Sequence, residues 1–331
     1  MQGVRREYIF RRYHKMFRPQ IKVLDCTVRD GGLINQWQFS DDFVRKVFIA
    51  LSQAGVDYME IGYKSSEKYF SRGENGSWKF CSEDDLKRIV GGFETTMKLS
   101  AMADIGRIDY EDIPKKSESV IDMIRVASYV KEVDKAISLA HHCMEKGFET
   151  TINLMAVSKV LEKDLDDALE DLSKSNVPVI YLVDSFGAMY SEQVHYLAKK
   201  YFAALPGKEL GIHTHNNQQL AFSNTIDGII AGINRLDATI YGMGRGAGNC
   251  PLELLLSFLK NPKFDIRPII EIIQEVFIPM KAKVEWGYHI PYMITGILNE
   301  HPRSGMKIMS AKKLPDLRQY YEDLRDGTPL E

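Results

Sequence analysis

Two histidines, His213 and His215, close an apolar approach formed by Leu210–Ile212. In an extended strand, residues i and i+2 face the same side. Both imidazoles can therefore reach one metal ion. A second stretch, Asp25-Cys26-Thr27-Val28-Arg29-Asp30-Gly31-Gly32, supplies what the pair lacks. Asp30 is the candidate carboxylate ligand. Arg29 beside it can clamp a carboxylate through two nitrogens or stabilise a developing enolate. Asn249 offers an amide oxygen to the metal or to water. Two imidazoles and one carboxylate leave coordination positions open for substrate oxygens. Such a mixed nitrogen and oxygen set suits a divalent ion of intermediate hardness. Mn2+ is expected, with Mg2+ or Zn2+ as alternatives.

Each of these residues also has a plain structural explanation. The histidines could be core or capping residues. Asp30-Gly31 could be a turn, since Asp-Gly is a common turn dipeptide. Arg29 could form a buried ion pair with Glu60 or Asp25, and Asn249 could only shape its loop. Glu60 is expected either to fix Arg29 or to act directly. Asp184 could orient a histidine or bind substrate. Asn153 and Tyr288 are candidate substrate contacts, and Asp104 and Arg125 are weaker ones. Cys250 is read as an inert buried thiol.

The elements that must position these residues alternate regularly. Short apolar runs at 21–25, 57–62, 97–103, 119–126, 149–157, 177–183, 209–214 and 235–240 read as strands, each followed by helical periodicity. Ser40, Ser82 and Ser191 offer N-caps, and Pro251 suits a first helical turn. Strand–helix alternation implies parallel strands with crossover helices. Eight units of this total length predict an α/β fold of the (β/α)8 TIM-barrel type. An open doubly wound sheet is the alternative, but no G-x-G-x-x-G follows the first strand. The expected organisation is a basic N-terminal arm at 1–20, a barrel at 21–262 and a helical extension packed on it at 263–331. Arg29, Asp30, Glu60, Asp184, His213, His215 and Asn249 all fall at or after strand ends, where barrel chemistry sits. The long connection at 63–81 is expected to cover the substrate, with Arg72 or Lys79 meeting an anionic group.

Composition restricts the remaining classes. The 331 residues are 44% hydrophobic and 27% charged, with 43 Lys and Arg against 45 Asp and Glu. The resulting charge of -2 argues against nucleic acid as a main partner. No apolar run reaches the roughly 20 residues that span a bilayer. The scattered Cys26, Cys81, Cys143 and Cys250 form no C-x-x-C pair, and a reduced, cytoplasmic protein is the expectation.

These motifs together resemble the DRE-TIM metallolyase, or HMGL-like, superfamily, and within it the 4-hydroxy-2-oxovalerate aldolases most. The matching pieces are Asp25–Gly31, Glu60-Ile61-Gly62, Asp184-Ser185-Phe186-Gly187, His213-Thr214-His215-Asn216-Asn217 and Gly246-Ala247-Gly248-Asn249. The resemblance implies a divalent metal on Asp30, His213 and His215, with Asn249 as an accessory ligand. It implies that Arg29 stabilises an enolate formed as a carbon–carbon bond breaks or forms next to a small 2-oxo acid, such as pyruvate. Small 2-oxo acids and aldehydes are the implied substrates. A homodimer is left open, and nothing in the residues supports the acylating aldehyde dehydrogenase that partners some members.

Departures from the pattern keep two alternatives in view. The aldolases carry a catalytic histidine just after Arg-Asp-Gly, where this chain has Gly32-Leu33-Ile34-Asn35. A base must come from elsewhere, with Tyr63, Tyr241, Tyr288 and His289 as candidates. Cys250 follows Asn249 rather than preceding it, which disfavours the hydroxymethylglutaryl-CoA lyases. The alternatives are a Claisen-type synthase joining an acyl-CoA to a 2-oxo acid, and a non-catalytic barrel subunit.

Overall fold

Apolar strands with helical returns between them can bury both faces only by wrapping a sheet in helices. The computed structural model describes residues 18–311 and 316–327, so the basic arm lies almost wholly outside the described residues. The strands are β1 Lys22–Asp25, β2 Tyr58–Tyr63, β3 Lys98–Asp104, β4 Met123–Tyr129, β5 Glu149–Met155, β6 Val179–Asp184, β7 Glu209–Thr214 and β8 Arg235–Ala238. Each pairs with the next in chain order, and β1 pairs in parallel with β8 from Lys22↔Arg235 to Asp25↔Ala238. The expected (β/α)8 barrel is therefore closed.

Seven strands lie within two residues of their expected bounds, and β4 differs more. Ser119 ends a turn instead of starting the strand. Its hydroxyl donates to Glu83 Oε1 at 2.8 Å and accepts from the Ile121 N–H. Arg125 consequently sits in mid-strand rather than at a strand end. Ser40 and Ser82 cap their helices as expected, accepting from Phe43 and Asp85 N–H groups. Ser191 does not cap. It is the first helical residue, and the Tyr190 N–H before it donates to Gln193 Oε1.

The largest departure follows β1. Thr27–Asn35 is a helix, so Asp30-Gly31 is not a turn. Gly32 is required there by packing, because a Cβ would lie 2.0 Å from Cδ1 of Trp37. Trp37 is buried in that space and donates through Nε1 to the Arg29 carbonyl at 2.9 Å. Propensity disfavours two consecutive glycines in a helix, and tertiary packing overrides it.

The barrel interior is unusually charged. Glu60, Arg125, Tyr181 and Asp237 come from β2, β4, β6 and β8 and meet inside, forming one layer contributed by alternate strands. Arg125 donates to Glu60 at 3.1 Å and to Asp237 at 2.7 Å, and it lies 4.3 Å from the Tyr181 ring centroid. Gly211 on β7 leaves room for that ring, since a Cβ would meet it at 2.4 Å. The apolar core lies between the barrel and its helices, around residues such as Val47, Phe48, Leu51, Leu139 and Leu169.

After the eighth helix, Leu252–Leu259, the chain continues as helical segments. The stretch Arg267–Lys281 runs as an α-helix, a π turn and a further α turn. Phe277 in it packs against Phe43 with ring centroids 5.7 Å apart. Ile290–Ile297, Arg303–Met309 and Leu317–Asp326 complete the extension. Among the described residues no helix is long and apolar enough to cross a membrane, and all four cysteines are buried and free. The two ends of the 63–81 connection pack inward, while 67–74 is largely exposed. Trp78 is fully buried, and Lys79 Nζ sits 4.1 to 4.4 Å from the ring centroids of Trp37, Phe70 and Tyr63. Lys79 is thus held among aromatic faces, and Arg72 pairs with Glu67 at 2.7 Å.

Candidate metal centre

Strand β7 points His213 and His215 into the barrel mouth, and their ring centroids lie 5.0 Å apart. The helix after β1 brings Asp30 beside them. One ligand atom from each of the three residues falls within 4.8 Å of the others, and all three side chains are buried. Asn249 reaches the same place through a bridge between His215 and Asn249.

Whether these residues fit a cation can be judged from their unsatisfied atoms. His213 Nε2, His215 Nδ1 and Asn249 Oδ1 are buried without any hydrogen-bond partner. An unpaired buried polar atom costs about 1–3 kcal/mol, so each of these atoms calls for a partner that the described residues do not supply. His213 Nδ1 lies 3.0 Å from Asp237 Oδ2. That carboxylate can only accept, so the imidazole proton is on Nδ1 and Nε2 presents its lone pair. A carboxylate behind a ligating histidine is the usual way of fixing ring and tautomer. Burial, reinforced by Arg245, holds His215 well below the ordinary histidine value, which keeps it neutral as ligation requires. Burial alone would raise Asp30, but Arg29, His215, His213 and Arg245 outweigh it and keep the carboxyl well below its usual range. The donor set fits a divalent ion.

Asp30 is tightly oriented. Its Oδ1 accepts from Arg29 Nη1 at 2.6 Å, and its Oδ2 accepts from Asn249 Nδ2 at 2.7 Å and the Arg245 N–H at 3.1 Å. Arg29 Nε donates to Glu60 Oε2 at 2.7 Å. A continuous buried path therefore runs Asp30–Arg29–Glu60–Arg125–Asp237–His213 and joins two of the three candidate ligands. Glu60, expected as a catalytic candidate, orients Arg29 and Arg125 through Oε2, and its Oε1 is buried without a partner.

The remaining expected residues lie outside the cluster. Asp184 turns its carboxylate to the backbone N–H groups of Ala188 and Met189, at 3.0 and 3.3 Å. It shapes the loop after β6, and burial pushes it up to about 6. Asn153 is buried on β5 and accepts from the Thr151 hydroxyl at 3.0 Å. Tyr288 is 45% exposed. Among the four candidate bases, Tyr63 borders the cavity at the barrel mouth. Tyr241 packs on Trp286, and His289 pairs with Glu285 at 2.9 Å. Burial pushes the Cys250 thiol up to about 12, in keeping with an inert residue.

Sequence reasoning did not single out Asp237 or Arg245. Asp237 looks like one polar position in a short strand, and only the closed barrel brings it to His213. Arg245 stands within the Gly-rich run Gly242–Asn249, which was the available signal. Its Nη2 donates to the Ser185 carbonyl at 2.6 Å and lies 3.3 Å from His215 Nε2.

The model of the HMGL-like family matches residues 20–274. The chain is 31% identical over 266 residues to a 4-hydroxy-2-oxovalerate aldolase of Thermus thermophilus, covering 78% of this chain and 75% of that one. It is 31% identical over 244 residues to an oxaloacetate decarboxylase of Mycobacterium tuberculosis, covering 72% and 69%. The crystal structure of an N-terminal domain from Bacteroides vulgatus superposes with a TM-score of 0.73 at 30% identity, covering 88% of this chain and 97% of that one. The buried Asp30, His213 and His215 cluster thus stands in a chain that belongs to the HMGL-like family.

Proposed function

We propose that this protein is a divalent-metal-dependent carbon–carbon lyase of the aldolase type, acting on a small 2-oxo acid. The observation that carries the reading is the buried cluster of His213, His215 and the ionised Asp30, whose ligand atoms lie within 4.8 Å of one another, with His213 Nε2 left unpartnered. Asp30, His213 and His215 would hold the ion, with Asn249 Oδ1 as a further donor. Mn2+ is the ion we assign to this mixed nitrogen and oxygen set. When bound, it supplies Lewis-acid polarisation of the 2-oxo acid's carbonyl.

The chain's own residues do the rest. Arg29 is fixed at Nε by Glu60 and at Nη1 by Asp30, which leaves Nη2 as its remaining terminal nitrogen. That cation opposes the negative charge that reaches the carbonyl oxygen as the neighbouring bond breaks, without reorganising first. The buried path through Glu60, Arg125 and Asp237 keeps Arg29 and His213 in register. Burial of the cluster excludes water from the reacting centre. The named relatives, an aldolase and a decarboxylase, share the need to hold charge on that oxygen.

Decarboxylation of a 2-oxo acid bearing a carboxylate on C3 is a second reading. One feature favours it: the reaction starts without a base on a hydroxyl, and Leu33 borders the cavity near where the aldolases carry their histidine. The test is pyruvate release from 4-hydroxy-2-oxo acids and from oxaloacetate, with Mn2+ and after chelation. Mn2+-dependent release from the hydroxy acids supports the first reading. Release from oxaloacetate alone selects the second, and release from neither contradicts both.

A further inference from the structure

We propose that Arg245, His301 and Arg303 form an anion-binding subsite beside the metal cluster, and that the substrate fragment released as an aldehyde carries a carboxylate. The inference rests on the aldol reading. A cavity of about 230 Å3 opens at the barrel mouth, lined by Tyr63, Arg107, Tyr129, Arg245, His301 and Arg303 among others. Arg245 joins it to the cluster through its 3.3 Å approach to His215.

The charges in this cavity do not cancel. Asp104 is paired with Arg107 at 3.0 Å, and Glu132 with Lys135 at 3.0 Å. The Arg245 guanidinium bonds only to a backbone carbonyl and an imidazole, and its Nε is buried without a partner. The Arg303 side chain meets no carboxylate among the described residues, and Arg245 meets only Asp30, to which its backbone N–H donates at 3.1 Å. Arg303 thus faces the cavity without a counter-ion, and Arg245 shares only Asp30, a member of the metal cluster.

His301 adds a neutral donor. Its Nδ1 accepts the Arg303 N–H at 3.1 Å, so the ring proton of the neutral form is on Nε2. Burial, with Arg245, Arg303 and Lys159 nearby, holds the ring down to about 3 and keeps it neutral. The segment carrying it is fixed to the loop after β5. Asn299 exchanges two hydrogen bonds with Ser158, at 2.7 and 2.9 Å, and Glu300 pairs with Lys159 at 2.5 Å. Two guanidinium groups and an imidazole N–H are suited to a carboxylate. A neutral aldehyde would leave Arg245 Nε, buried without a partner, unpaired, which is how a polar pocket rejects the wrong fragment.

The test compares two substrates that differ only beyond the reacting carbon. They are 4-hydroxy-2-oxoglutarate, which releases a carboxylate-bearing aldehyde, and 4-hydroxy-2-oxopentanoate, which releases a neutral one. The Mn2+-loaded wild type should favour the first in kcat/KM by about tenfold or more. In His301→Leu and Arg303→Leu the ratio of the two values should fall about 10- to 100-fold, with folding checked by near-ultraviolet circular dichroism. A wild type that prefers the pentanoate, or a ratio unchanged in folded variants, overturns the proposal. If neither substrate turns over, the aldol reading fails, and calorimetry with succinate and butanoate then decides the subsite. Succinate binding that weakens in Arg303→Leu upholds it, and no preference for succinate overturns it.

Discussion

His213 Nδ1 lies 3.0 Å from Asp237 Oδ2, and the opposite ring nitrogen is buried without a partner. Asp237 therefore determines which nitrogen faces the cluster, although it is not among the three candidate ligands. Asp237→Asn keeps the shape but weakens control of the tautomer. Mn2+ affinity measured by calorimetry should fall about 10- to 100-fold. An affinity within about twofold of wild type would show that the contact is only packing.

Arg29 is bound at two nitrogens by two different carboxylates. Arg29→Ala should lower kcat by about 10²–10³, by analogy with a lost oxyanion donor. Arg29→Lys should not restore it, because an ammonium cannot reproduce that planar fork. Recovery of most of the activity in the lysine variant would mean that charge alone is enough.

Gly32→Ala sets two effects against each other. Alanine favours a helix over glycine by about 1 kcal/mol. The added Cβ would sit 2.0 Å from the Trp37 ring, and overpacking costs about 1–3 kcal/mol. The clash should win, lowering the urea midpoint, and a raised midpoint would show that Trp37 moves freely.

The same position shows where the sequence was legible. The two histidines and Asp30 could be found because a period of two and a strand end restrict where side chains point. The helix at Thr27–Asn35 could not, because its glycines read locally as a turn, and only the packing of Trp37 on Gly32 and of Met243 on Gly31 explains them. Glu60, Arg125 and Asp237 are far apart in the chain, and their shared layer exists only once the barrel closes. His301 and Arg303 come from the extension, whose position over the mouth depends on contacts such as Asn299 with Ser158. Tyr288, a candidate substrate contact from the sequence, is 45% exposed.

Asp25 gives a pH signature. Burial pushes it up to about 7, against hydrogen bonds from Thr27. The folded chain then keeps a proton that the unfolded chain releases above about pH 4. Stability from this group falls as pH rises from about 4 to about 7 and is level beyond, with a slope of at most about 1.4 kcal/mol per unit. The stability difference between wild type and Asp25→Asn, from urea titrations, should change across that window and be constant above it. A difference independent of pH would contradict this.

The most direct test of the metal centre is a Mn2+ titration of the metal-free protein followed by electron paramagnetic resonance, on wild type and on Asp30→Asn, His213→Gln and His215→Gln. Wild type should bind one ion per chain, and each substitution should weaken binding by about 100-fold or more, since each removes one of few protein ligands. Binding of Mn2+ by all three variants at the wild-type stoichiometry and affinity would contradict the account.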